Sequence, residues 1–208
     1  MTKPARRTPP RRTQAERSEE TRQRVAKAAY EVIAERGHSA FRTAAVIAQA
    51  GVSQGAMLHH YPTKESLTLA AIHYALNLDR DKSLKRANRT GDDAHATLMA
   101  MGEDFRAFFI GNQFWVSLDI TMDAAKDASV APEIRAIVAD ARRPVYELWT
   151  QALMRCGWDA ARAQHAVTST AALISGFAIR TLWNDDASEL DRTLTDWFAH
   201  IEKQTANA

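Results

Sequence analysis

Beyond residue 17, stretches whose apolar side chains recur every three or four positions alternate with short polar or glycine-containing breaks, the pattern of amphipathic helices. Ser18 followed by Glu19 and Glu20 reads as an N-cap with acidic first-turn residues that complement the helix dipole. Val25, Ala29 and Val32 then recur at i, i+4 and i+7 until Gly37, which predicts a first helix over about 19–36. The elements next shorten. Thr43 to Ala50 forms an alanine-rich helix ended by Gly51, and Ser53 caps a second running from Gln54 to about His60 before Pro62 interrupts. Thr63 opens a longer amphipathic helix with Leu67, Ala71, Tyr74 and Leu78 on one stripe, fading into the polar stretch Asn88 to Asp93. Further helices are expected over about 93–111, 113–127, 132–156, 159–183 and 188–204, with Pro144 placed to kink or break the third of these. No segment alternates as a strand does, so the expected fold class is all-α, with about nine helices.

Composition narrows the class further. Apolar residues make 46% and charged residues 25% of 208, an ordinary globular mix with enough apolar side chains for a sizeable core. No window of about 20 residues is both apolar and uncharged, and the first residues are basic and proline-rich rather than a signal segment, so a cytoplasmic location is expected. The single cysteine, Cys156, excludes an internal disulfide and a cysteine-rich zinc site. The net charge of +2 hides an asymmetry: residues 1–64 hold 12 Lys and Arg against 5 Asp and Glu, whereas residues 65–208 hold 15 against 20. One end of the chain is suited to a polyanion and the other is not. Residues 1–17, with three prolines and six basic side chains, read as a disordered basic arm, either a solubilising tail or a DNA contact.

The informative stretch is Thr43 to Lys64. Ala44, Ala45 and Ala48 suit a close approach of the first short helix to its neighbour, and Ile47, Val52 and Met57 are spaced to share a small core across the turn. Gly51 suits the left-handed backbone of a helix-turn-helix corner. Gln54, Gly55, Ala56, Leu58 and His59 are then left outside, a short face of mostly small residues fit to lie against base edges while flanking groups hold phosphates.

The run GVSQGAMLHHYPTKESL resembles the DNA-binding signature of the TetR family of bacterial repressors. The resemblance covers about residues 20–68 and extends more weakly to Ala172 through Arg180. It implies base-reading roles for Gln54, Gly55, Ala56 and His59. Gln54 can pair bidentately with adenine and Ala56 can touch a thymine methyl. It also places Thr43, Ser53, His60 and Lys64 where family members contact phosphates. Two departures stand out. Leu58 replaces the usual Tyr, and Arg42 replaces the usual Thr, offering a charged phosphate contact in exchange for the cap of the second helix.

A lone helix-turn-helix makes few base contacts, so such proteins pair across a two-fold axis and read half-sites about 34–36 Å apart. The last two helices offer Leu173, Phe177, Trp183, Leu194, Trp197, Phe198 and Ile201 as a four-helix dimer interface, or alternatively as intrachain core. The aromatic and methionine-rich middle supplies pocket candidates: Phe105, Phe109, Trp115, Leu118, Asp119, Met122, Trp149 and Phe177. Aromatic rings with Asp119 would suit a cationic apolar compound, although no effector is singled out. The expected organisation is thus a helix-turn-helix domain over 18–63 and a ligand-binding and dimerisation domain over 64–208, forming a homodimeric repressor of a palindromic operator released by a small molecule. It needs no cofactor or metal, since His59 and His60 are adjacent and diverge by about 100° on a helix. Cys156 and His165 are a conceivable nucleophile and base, but lack an orienting third group. A helical ligand-binding or scaffolding protein without nucleic-acid affinity is the remaining alternative.

Overall fold

A computed structural model describes residues 13–78, 80–126, 131–183 and 187–206, and among these it contains helices, turns and caps but no strand. The helices are α1 (Gln14–Arg36), α2 (Thr43–Ala50), α3 (Gln54–His60), α4 (Lys64–Asn77), α5 (Arg80–Ala87), α6 (Ala94–Phe109), α7 (Asn112–Ala124), α8 (Ala131–Arg155), α9 (Ala160–Arg180) and α10 (Ala187–Ala206).

Three boundaries differ from expectation. The first helix starts earlier, because Thr13 rather than Ser18 is its cap. The Thr13 hydroxyl accepts the Glu16 N–H and the Glu16 carboxylate accepts the Thr13 N–H, satisfying two first-turn donors. The last residues of the expected arm are therefore helical, and residues 1–12 of it lie outside the described residues. The helix expected after Thr63 is divided, with α4 ending at Asn77 and α5 beginning at Arg80, which brings the count to ten among the described residues. Ser83 and Arg86 of α5 are tied to Asp104 of α6, an attachment that amphipathic periodicity does not reveal. Finally, α8 passes through Pro144 unbroken; proline removes one N–H donor, and the rest of the 25-residue ladder carries the helix across.

The buried apolar side chains form one continuous cluster from Val25 to Ile201. Val25, Ala29, Val32 and Ile33 of α1 are buried where α1 packs along α4, which contributes Leu67, Ala71, Ile72 and Ala75. Helix α4 also touches α7 and α8, so it is a strut shared by the first three helices and the rest. At the other end, α10 repeats Leu190, Leu194, Phe198 and Ile201 on one stripe and buries all four. Each such side chain contributes about 1.5–3 kcal/mol. The Phe198 ring closes over Gly102 of α6, where an added Cβ would stand 2.9 Å from it. Trp197 is anchored by donating its indole N–H to the buried Thr170 hydroxyl at 2.9 Å.

Candidate nucleic-acid interface

Helix α3 is positioned from beneath. Gly51 ends α2 at φ 61° and ψ 41°, the left-handed conformation the corner requires. Ser53 then caps α3, its hydroxyl accepting the Ala56 N–H at 3.2 Å. Met57 is buried, and Tyr61, just past the helix end, is buried and donates its hydroxyl to the Arg22 carbonyl at 3.2 Å. These two side chains pin the helix to α1. Of the small core expected across the turn, Met57 is fully buried while Ile47 and Val52 are half-buried at its edge. The close approach expected of Ala44 and Ala48 is not made, since both are exposed, and Val46 and Ala50 are the buried residues of α2.

What remains outward on α3 is Gln54, Gly55, Leu58 and His59, with Ala56 and His60 half-buried. Nothing stands within 4 Å of a Cβ placed on Gly55, so backbone there is open to a close ligand surface. Leu58, 42% exposed, sets an apolar side chain in the middle of this polar and small-residue face. His59 and His60 stack edge to face at 5.0 Å, and His60 also neighbours Tyr61.

The expected phosphate contacts lie around this face. Arg42 occupies the N-cap position of α2 without a side-chain cap bond, so the usual cap is lost and not replaced. Its Nη1 instead donates to the Ser39 and Phe41 carbonyls at 3.0 and 2.9 Å. Thr43 is half-buried, whereas Ser53 and Lys64 are exposed. The Lys64 ammonium lies 5.8 Å from the centre of the buried Phe41 ring, placing it in the neighbourhood of Arg42.

A second polar cluster joins this head to the remaining helices, and sequence reasoning missed it. His38, in the turn after α1, donates its backbone N–H to Asp119 at 2.6 Å and its Nδ1–H to Asp123 at 2.7 Å. Its Nε2 lies 3.1 Å from the Thr68 hydroxyl of α4. Lys126 and His38 together hold the Asp123 carboxyl below its ordinary pKa. Asp119 is thereby a clasp on the α1 turn rather than a free polar group awaiting a cationic ligand.

The other pocket candidates disperse. Phe105, Phe109 and Trp149 are buried, and Phe105, Phe108, Phe109, Phe114 and Tyr146 pack on one another with ring centres 5.1 to 6.3 Å apart. Trp115 and Asp119 share a small cleft of about 220 Å³ with the α1 turn, Leu118 is half-buried, and Met122 is 61% exposed. A larger cleft of about 820 Å³ opens between α8 and α9 and is lined by none of the expected pocket residues. The expected interface residues divide as well. Leu194, Phe198 and Ile201 are consumed by packing within the chain, because the α10 stripe faces α6 and α9. Leu173, Phe177 and Trp197 are half-buried, and Trp183 is 70% exposed. Cys156 and His165 form no dyad: the thiol lies near Thr97 and the Ala152 carbonyl, and His165 rests beside Trp197. Among the described residues, no helix is long and apolar enough to cross a membrane, and no group of three or more His, Cys, Asp or Glu is placed to hold a metal ion.

A short capped helix held outward by a glycine corner, on an otherwise all-helical body, defines a helix-turn-helix DNA-binding protein. The family model for bacterial regulatory proteins of the tetR family matches residues 25–71. The HTH-type transcriptional regulator CymR of Pseudomonas putida is 33% identical over 184 residues, covering 88% of this chain and 90% of that protein. Among solved structures, a proposed transcriptional regulator from Saccharomonospora viridis in complex with choline is 21% identical at a TM-score of 0.68, over 88% of this chain and 97% of its own. The multidrug binding protein EbrR complexed with imidazole is 21% identical at a TM-score of 0.55, over 90% and 96%. The chain belongs to the TetR family of bacterial transcriptional regulators, and it is a regulator of transcription rather than an enzyme.

Proposed function

We propose that the protein is a repressor that binds a palindromic operator as a homodimer in the cytoplasm and leaves it when a small molecule binds the helices beyond α3. In this division of labour residues 18–63 read DNA, while 64–208 sense and dimerise. The observation that carries the reading is the uncovered α3 face, on which Gln54, Gly55, Leu58 and His59 stand exposed over a buried Met57 and Tyr61.

Gln54 and His59 supply hydrogen bonds to base edges, and Ala56 and Leu58 supply contacts for thymine methyls. Arg42, Thr43, Ser53, His60 and Lys64 set register on the phosphates. Pairing supplies the second half-site. Along α9 the exposed positions Ala161, His165, Thr168, Ala172, Gly176 and Ile179 recur every three or four residues, ending at Leu182 and Trp183, which are 66% and 70% exposed. A seam with small side chains at Ala161, Thr168, Ala172 and Gly176 that ends in large apolar ones suits two-fold helix packing, and we assign Trp183 to that interface. The choline and imidazole complexes of the two neighbours support a sensing role for the helices outside the DNA-binding head.

Selection of bound fragments from random duplexes tests the proposal. A palindrome with half-sites one helical turn or a multiple apart is expected, and absence of enrichment overturns it. Within that operator, Gln54→Ala relaxes preference at one position per half-site, costing about 1–3 kcal/mol against the best base, as read by competition with single-base operator variants. Lys64→Ala weakens every sequence about equally and lowers the slope of log affinity against log salt by about one, a difference measurable by titration across salt concentrations.

A further inference from the structure

The cleft between α8 and α9 carries an unsatisfied cation in its wall. Arg142 lines it, and the guanidinium lies 3.9 Å from the centre of the Phe108 ring, with Tyr146 and Phe109 at 5.5 and 5.9 Å. Its Nε and Nη2 are shut off from solvent and have no hydrogen-bond partner. Rings compensate a guanidinium's charge but leave its in-plane N–H groups unpaired.

The buried carboxylate of Asp104 has its hydrogen bonds committed elsewhere. Asp104 accepts from Arg86 at 2.5 Å, from Ser83 at 2.9 Å and from the Trp149 indole at 3.0 Å. The neighbouring Arg143 is paired with Asp140. Burial pulls the Arg142 pKa below the ordinary guanidinium value, with Tyr146 and Asp104 only partly opposing. Apart from Arg143 and Glu147, the one acidic residue in the lining, the remaining wall is apolar or neutral, including Val138, Met154, Val167 and Thr150.

We propose that this cleft is the effector site and that Arg142 receives the carboxylate of an apolar monocarboxylic acid. The inference rests on the sensing role proposed above and names its ligand class. One planar guanidinium matches one carboxylate through two parallel N–H donors, whereas a phosphate dianion would call for a second unpaired cation, and the other arginine of this wall, Arg143, is already held by Asp140. The volume of about 820 Å³ is that of a small-molecule site, and Tyr146 with the aliphatic side chains of the lining receives the uncharged part of the ligand.

The test measures binding without DNA, so it stands or falls independently of operator recognition. Benzoate and octanoate are compared with benzamide and benzyltrimethylammonium by calorimetry and thermal shift on the full chain. The carboxylates should bind at least tenfold more tightly than the amide, and the relative affinities of benzoate and octanoate then distinguish a ring from a chain. Equal or tighter binding of the amide or the cation overturns the proposal, as does failure of both carboxylates to bind at millimolar concentration. Arg142→Met should abolish carboxylate binding while leaving Tm unchanged or raised, since an apolar side chain of similar length replaces an unpaired buried cation. Arg142→Lys, which keeps the charge and loses the fork, should retain weakened binding. Should Arg142→Met instead alter the oligomeric state and leave benzoate binding intact, the guanidinium faces a partner chain and the proposal fails. Once an operator is known, benzoate or octanoate should displace the wild-type protein from it and leave the Arg142→Met variant bound; a protein that binds the carboxylate but never DNA retains the site and loses only the repressor reading.

Discussion

Replacing Asp104 with alanine is expected to destabilise the protein by about 3 kcal/mol, the lower part of the range for breaking a buried ion pair. The carboxylate is 4% exposed and joins three helices: Ser83 and Arg86 of α5 bind one oxygen, and the Trp149 indole of α8 binds the other. Removing it leaves the fully buried Trp149 N–H without an acceptor and Arg86 without its anion. The Arg86 side chain is one-third exposed and regains some water, which keeps the loss toward the lower figure. Asp104→Asn preserves the shape and an acceptor and should cost less. Urea unfolding monitored by tryptophan fluorescence measures both, and equal stability of wild type and alanine variant would show that the three bonds contribute nothing net.

The second large effect is on assembly. Ala172 lies exposed in the middle of the α9 seam, so arginine there is harmless within one chain and obstructive between two. Ala172→Arg is expected to give a folded monomer by analytical ultracentrifugation, with unfolding midpoint in urea close to that of a dilute wild-type sample. Operator affinity should fall by about 10³-fold or more, toward the non-specific level, because a single α3 reads only one half-site. Persistence of the dimer would remove α9 from the interface. A monomer that kept full operator affinity would remove pairing from the mechanism.

The head was legible because its constraints are local. Gly51, Ser53 and Pro62 punctuate two helices too short to be anything else, and their outward residues follow from helical periodicity once Met57 is assigned inward. The helices beyond it were less so. Its aromatic side chains read as pocket walls, yet Phe105, Phe109 and Trp149 are packing, because rings near one another in a helical core satisfy each other first. For α10 the burial pattern was right and the partner wrong: Leu194, Phe198 and Ile201 do face helices, but helices of their own chain, and a stripe in sequence does not say whose surface it meets. Arg142 did leave a trace. It falls one turn after Val138 and one before Tyr146, on the side of α8 that buries Ile134, Val145 and Trp149, so a charge stands where periodicity asks for an apolar residue. His38 left none, since its partners Asp119 and Asp123 lie more than 80 residues away.

That turn has a mechanical consequence. One residue, His38, is hooked by its backbone and its ring to two carboxylates a single turn apart on α7, at 2.6 and 2.7 Å. Each bond fixes a distance and a direction, so the elbow leading into α2 is tied to α7 at two separate points. Two fastenings one turn apart hold the elbow against pivoting as well as against sliding, so the joint is a bracket instead of a swivel.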